Sequence, residues 1–205
     1  MNTSCYAVNI RSTIDKNDNA YIGEDALNLL IDGFSCPPNL EVEHFLKHSA
    51  LDFTKKNQSV TYLAFRPATH GDIFAGYYSL AIKPISVRAS AISKTMGKKL
   101  ARVSVLNQEN DTFTASAYLI AQLGKNFALP KEKRISGKEL LTFADLTIKM
   151  ARHIVGGMVE FLECEDNPFL LDFYAENGFK AFDRRTATPS DNESPHELVQ
   201  LLRFL

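Results

Sequence analysis

Cysteine is scarce in this sequence. Its three cysteines, Cys5, Cys36 and Cys164, form neither an even disulfide set nor a CxxC pair. That argues against a disulfide framework and against a structural zinc site. Long apolar runs are missing as well. No stretch approaches the roughly 18 consecutive apolar residues that a membrane-spanning helix needs. The opening MNTSCYAVNIRST has no basic segment followed by an apolar one, so no secretory leader is expected. A charge excess is also absent. The 23 Lys and Arg against 24 Asp and Glu leave a net charge of -1, and no whole-molecule field draws the chain to nucleic acid or an anionic membrane. The expectation is a cytoplasmic protein with no metal and no membrane contact. Its 205 residues suffice for one domain with a substantial core.

The near-neutral total hides a polarised distribution. Lys83 to Val103 holds six basic residues (Lys83, Arg88, Lys94, Lys98, Lys99, Arg102) and no acidic one. Lys125 to Lys138 holds five basic residues against Glu132 alone. From Glu160 to Glu193, nine acidic residues face only Lys180, Arg184 and Arg185. Two basic blocks beside an acidic final third suggest an anion site in the middle of the chain. A solvated basic helix face explains the first block equally well.

Proline and glycine punctuate the chain at 36–38, 66–68, 83–84 and 129–130, and a polar stretch runs from Thr186 to Pro195. Between these marks, apolar spacing predicts helices over Glu24–Asp32, Leu40–Lys56, Lys138–Val155 and Asn167–Asn177, the last stopped by Gly178. The third carries Leu141, Ala144, Ile148 and Ala151 on one stripe. β-Branched and aromatic enrichment predicts strands over Val60–Phe65, Ile73–Ile82, Thr112–Leu123, Met158–Glu165, Phe179–Phe182 and Glu197–Leu205. The order is two helices, antiparallel-style strands, then strand–helix–strand–helix–strand–strand. That is a mixed α/β sheet.

Two stretches have the residue types for chemistry. Arg134-Ile-Ser-Gly-Lys-Glu139 lies between a strand and the strongest helix. A glycine-bearing loop that opens a helix gathers free amide donors and the positive end of the dipole on one point. Ser136 and Glu139, three apart, also make a capping box, and on the residues alone that reading is the stronger. The second stretch runs from Leu162 to Phe179 as a strand, a sharp turn, a short helix bearing Tyr174, and Gly178-Phe179. Taken alone, Tyr174 reads as a packed aromatic.

Together the two stretches resemble the GNAT superfamily of N-acetyltransferases over roughly residues 40 to 205. The family's acetyl-CoA loop follows Gln/Arg-x-x-Gly-x-Gly/Ala, matched by Arg134 and Gly137, with Glu139 where the family has a small residue. Its later pattern, Asn-x-x-x-x-x-Phe-Tyr-x-x-x-Gly-Phe, is met by Asn167, Phe173, Tyr174, Gly178 and Phe179. Leu119-Ile-Ala-Gln-Leu-Gly-Lys-Asn126 sits where the family's central strand meets the cofactor's pantetheine arm, and it is most similar to the acetyltransferase-toxin branch. The connection from Asn126 to Lys133 is longer than the family's usual spacing.

The resemblance implies a GNAT fold, with a mostly antiparallel sheet of about six to seven strands flanked by helices. It implies a catalytic domain over 39–205 with residues 1–38 as an extension packed on it. It implies acetyl-CoA (coenzyme A) as cofactor, contacted by Leu123, Gly124, Lys125, Arg134, Ile135, Ser136, Gly137, Lys138, Glu139, Asn167 and Tyr174. Lys125, Lys131, Lys133, Arg134 and Lys138 then surround a polyanion. Tyr174 becomes the acid that protonates the departing thiolate, since a phenol of pKa about 10 is neutral at pH 7. Backbone amides at Leu123–Lys125 become the oxyanion site. Glu163, with Glu165 on the same strand face, is a candidate base for the amine, with an ordered water as the alternative.

Other patterns fail. Asp15-x-Asn17-x-Asn19 opens like a calcium loop, but Ala20 and Ala26 replace its glycine and bidentate glutamate. His44 and His48 lack a third ligand. There is no GxSxG elbow and no phosphate loop of the GxxxxGK type. Three functions stay open: an N-acetyltransferase for a small or macromolecular amine, a toxin acetylating aminoacyl-tRNA with an antitoxin partner, and a degenerate acyl-CoA-binding module. Glu139 in place of a small residue supports the last. A homodimer contact through residues 1–38 also stays open.

Overall fold

Apolar periodicity and turn chemistry place the elements in this order: β1 (Tyr6–Asn9), α1 (Ile10–Ile14), α2 (Glu24–Asp32), α3 (Leu40–His48), α4 (Ala50–Lys55), β2 (Val60–Arg66), β3 (Ile73–Arg88), α5 (Lys94–Leu100), β4 (Leu106–Asn107), β5 (Thr112–Lys125), α6 (Gly137–Val155), β6 (Val159–Glu165), α7 (Pro168–Glu176), β7 (Lys180–Ala187) and β8 (His196–Phe204). Short 3₁₀ turns at Ala89–Ala91 and Lys131–Lys133 fill two connections. The computed structural model describes residues 5–187 and 196–205, so the predicted polar stretch lies outside the described residues from 188 to 195.

The eight strands pair in the order β1-β2-β3-β5-β6-β8-β7, with β4 beside β5. The pairs β1–β2, β2–β3, β4–β5, β6–β8 and β7–β8 are antiparallel. The expected six to seven strands become eight because β1 and β4, of 4 and 2 residues, are too short to show an alternation. The long helix expected over Leu40–Lys56 is two helices. Ser49 leaves helical geometry at φ -126, and the chain turns so that Ala50 and Thr54 are buried. Serine hydrogen-bonds its local backbone readily outside helices, which makes it a tolerant breaking point.

The chain divides into two compact units, Met1–Ala81 with Ile120–Met150, and Ile82–Leu119 with Ala151–Leu205. In the first, Ile10, Leu27, Phe34, Leu46, Leu63 and Tyr77 form the core. Each fully buried side chain of this kind contributes about 1.5–3 kcal/mol. Asn126, buried just past β5, is the polar junction of this unit. Its side-chain oxygen accepts from the amides of Ser35 (3.2 Å) and Ala128 (3.1 Å). Its side-chain nitrogen donates to Phe74 O at 3.0 Å, and its own amide donates to Ala75 O at 2.9 Å. One side chain thus joins the segment after α2, strand β3 and the loop ahead of α6. β3 and β5 also run close together here: a Cβ at Gly76 would lie 2.6 Å from Gly124 O.

In the second unit Val87, Leu100, Phe113, Val159, Phe161 and Leu202 form the core. Several acidic residues of the final third pair with arginines. Arg88 pairs with Asp183 (2.8 Å), and Arg184 with Asp166 (2.6 Å) and Glu197 (3.4 Å).

Replacing Asn126 by Ala orphans buried donors and acceptors in three segments at once. Such a loss costs about 1–3 kcal/mol per unsatisfied group. Urea unfolding should therefore show Asn126→Ala destabilised by roughly 2–4 kcal/mol. A change within experimental error would remove Asn126 as the junction.

Candidate active site

One candidate stretch belongs to the first unit. Ser136 is the residue before α6, and the capping box forms. The Glu139 carboxylate accepts from the Ser136 amide (2.9 Å) and hydroxyl (2.7 Å), and the Glu139 amide donates to Ser136 Oγ at 3.1 Å. These bonds hold the Glu139 carboxyl below its ordinary pKa, the Ser136 backbone donor first among the causes. Gly137 and Lys138 lie in the first turn, where amides have no acceptor within the helix. Leu140, Leu141, Ala144 and Ile148 bury the other face of α6 and fix its start. Ile135 is buried beside Gly76.

Several predicted contacts take structural roles. The Arg134 guanidinium turns back on its own loop, donating to Leu129 O (2.8 Å) and Phe127 O (3.0 Å) and stacking 4.9 Å from the Phe127 ring. It braces the loop ahead of α6. Leu123, Gly124 and Lys125 end β5. A Cβ at Gly124 would meet Val42 at 2.6 Å and Tyr77 at 2.8 Å, so packing alone requires glycine there. Lys125 Nζ sits 5.4 Å from the Phe127 ring. Arg66 went unnoticed in the sequence. Its Nη2 donates to Arg134 O at 3.4 Å and lies 4.0 Å from a Glu139 oxygen, while its Nε is buried without a partner among the described residues. Its place at the end of β2, just before Pro67, gave no local signal.

A separate candidate stretch belongs to the second unit. Asn167 caps α7, its side chain accepting from the Phe169 amide at 3.0 Å, and Pro168 starts the helix with a preset φ. Gly178, at φ 86, reverses the chain after α7. These signals place Tyr174 with its ring buried against Phe173 and Phe179, at centroid distances of 5.0 and 5.8 Å. Its hydroxyl has no hydrogen-bond partner among the described residues. Burial pushes this phenol well above the ordinary range, helped by the neighbouring Cys164, whose own thiol burial raises to about 11. Tyr174 therefore holds its proton throughout the neutral range.

The turn below Tyr174 is locked by a buried ion pair. Glu160, fully buried, pairs with Arg203, which also donates to Asn177 O at 2.7 Å and stacks 4.4 Å from the Phe179 ring. Alternation along β6 puts Glu160 and Cys164 on one face and Val159, Phe161 and Glu163 on the other. Tyr174 packs on the Cys164 face and Glu163 points to the opposite one. Glu163 is moreover committed, accepting from Arg185 Nε (2.7 Å) and Nη2 (2.5 Å) and from Gln200 Nε2 (2.7 Å). The Glu163 carboxylate, the candidate base, is thus held by three donors of its own unit. The neighbouring His44 and His48, ring centroids 4.5 Å apart and tilted by 43°, join no group of three metal-ligating side chains among the described residues.

No protein-family model and no curated protein matches the sequence. Solved structures do match the fold. AtaT complexed with acetyl-methionyl-tRNAfMet is 17% identical over 96% of this chain and 94% of that chain, at a TM-score of 0.60. A tyrosine-to-phenylalanine mutant of KacT is 19% identical over 96% and 93%, at a TM-score of 0.61. A like mutant of the AtaT toxin, bound to the C-terminus of the antitoxin AtaR and acetyl-CoA, is 16% identical over 98% and 92%, at a TM-score of 0.58. Identities this low speak for the architecture. With its element order, its mostly antiparallel sheet and these neighbours, the chain has the GNAT fold of the N-acetyltransferases.

Proposed function

We propose that the chain is an acetyl-CoA-dependent N-acetyltransferase that passes the acetyl group directly to a primary amine while donor and acceptor are both bound. Tyr174 carries this reading: a buried ring whose hydroxyl keeps its proton and has no partner among the described residues. Acetyl-CoA supplies an activated acetyl thioester when bound. The residues present fit its polyphosphate, with amide donors at Gly137 and Lys138 and with Lys131, Lys133 and Lys138 exposed and without ion-pair partners among the described residues. Leu123–Lys125 offer backbone donors for the acetyl oxygen. Tyr174 holds the proton that the departing sulfur requires. With Glu163 engaged by Arg185 and Gln200, water takes the amine's proton.

A narrower reading is a toxin that acetylates the amino group of aminoacyl-tRNA and has an antitoxin partner. AtaT, the neighbour solved with tRNA and with its antitoxin, supports it. So does the first basic block, where Lys94, Lys98 and Arg102 recur every four residues along α5 and the turn after it, all exposed and without ion-pair partners among the described residues. Tight cofactor binding with no transfer to any amine would instead favour an acyl-CoA-binding module.

Tyr174→Phe should lower turnover by about 10²–10⁴-fold and leave calorimetric acetyl-CoA binding nearly intact. An unchanged rate would remove Tyr174 as the acid. Because its pKa is raised, the acid form is lost only at strongly alkaline pH. The rate of the wild type should thus rise with pH as the acceptor amine deprotonates, with no tyrosine-linked fall below about pH 10. A falling limb near neutrality that vanishes in Tyr174→Phe would contradict this. For the tRNA reading, filter binding should weaken steeply with salt, and replacing Lys94, Lys98 and Arg102 by Gln should flatten the log–log slope by about 2. No retention at low salt would eliminate that reading.

A further inference from the structure

Glu139 puts a carboxylate where the proposed function needs a polyphosphate. Its Oε2 takes the Ser136 amide at 2.9 Å and the Ser136 hydroxyl at 2.7 Å, and its Oε1 stands 4.0 Å from Arg66 Nη2. Those are the donors that an anionic ligand at the start of α6 would use. The adjoining amides of Gly137 and Lys138 are left to any ligand, within reach of the same negative charge. The side chain is about half exposed (49%), so it is free to swing outward.

We propose that Glu139 is an internal competitor for the cofactor's pyrophosphate, an anion carried by the chain itself that must leave the Ser136 donors before the site is fully engaged. The inference rests on the acetyl-CoA reading above. It follows from two facts of charge. A carboxylate and a phosphate cannot share the same amide donors, and held side by side they repel. Glu139 therefore lowers cofactor affinity while stabilising the empty loop, which keeps the start of α6 ordered until a ligand arrives. Arg66 Nε, buried and without a hydrogen-bond partner among the described residues, leaves an unused donor beside the position that the carboxylate vacates.

Glutamine at the third helical position satisfies a capping box as glutamate does, but without charge. Glu139→Gln thus removes the charge, and with it the repulsion of the phosphate, while keeping the cap, and Glu139→Ala removes both. Calorimetry on the full chain, with acetyl-CoA and separately with inorganic pyrophosphate, reads the effect, and thermal melting reports the fold of each variant. The expected result is a Kd for both probes lowered about tenfold or more in Glu139→Gln and Glu139→Ala, with Glu139→Gln melting close to the wild type. Equal binding by wild type and both variants, or weaker binding by Glu139→Gln, overturns the inference and leaves the acetyl-CoA reading standing. No acetyl-CoA binding by any of the three well-folded proteins overturns both.

Discussion

The first amides of a helix point outward with no carbonyl to receive them, and in this chain the proposed cofactor site rests on that requirement at the start of α6. Ser136 and Glu139 answer part of it from within, while Gly137 and Lys138 leave donors for a ligand. The rest of the first unit serves to hold that helix start still. Arg134 folds back to brace the preceding loop, Asn126 ties that loop to β3 and to the segment after α2, and the Gly76–Gly124 approach lets β3 and β5 lie close beneath it. Loosening any of these spreads the donors over a larger volume and weakens their convergence on one anion.

The second unit solves a different problem, presenting a phenol that keeps its proton. Burial does this by making the charged form of Tyr174 costly, and the capped α7 with its Gly178 reversal fixes where the ring sits. The Glu160–Arg203 pair under the turn is expensive to desolvate and is repaid only through its geometry: one guanidinium meets a carboxylate, a carbonyl and an aromatic face together. Arg88, Arg184 and Arg185 of this unit pair with neighbouring carboxylates, whereas the lysines and Arg102 around α5 are exposed without ion-pair partners among the described residues.

Features with local causes were legible in the sequence. The stripe of α6, the Asn167 cap, the Gly178 stop and the strand enrichment of β2, β5 and β6 all lie within a few residues of their signals. The capping box was readable from Ser136 and Glu139 alone. Features made by distant residues were not. Glu163 looked like a free strand-end carboxylate because Arg185 and Gln200 reach it only after the chain has turned twice. Nor does anything local show the Arg134 guanidinium folding onto Leu129 and Phe127. β1, α1 and β4 were missed because they are shorter than one readable period, and Arg66 because its partners lie some seventy residues away.

The central claim is that the start of α6 is where this chain meets acetyl-CoA. Amide hydrogen exchange with and without acetyl-CoA tests it at single residues. The account predicts slowed exchange at Gly137 and Lys138 on adding the cofactor, since these amides gain an acceptor that the helix cannot supply. Saturable binding that leaves both amides exchanging as before would place the cofactor elsewhere and contradict it.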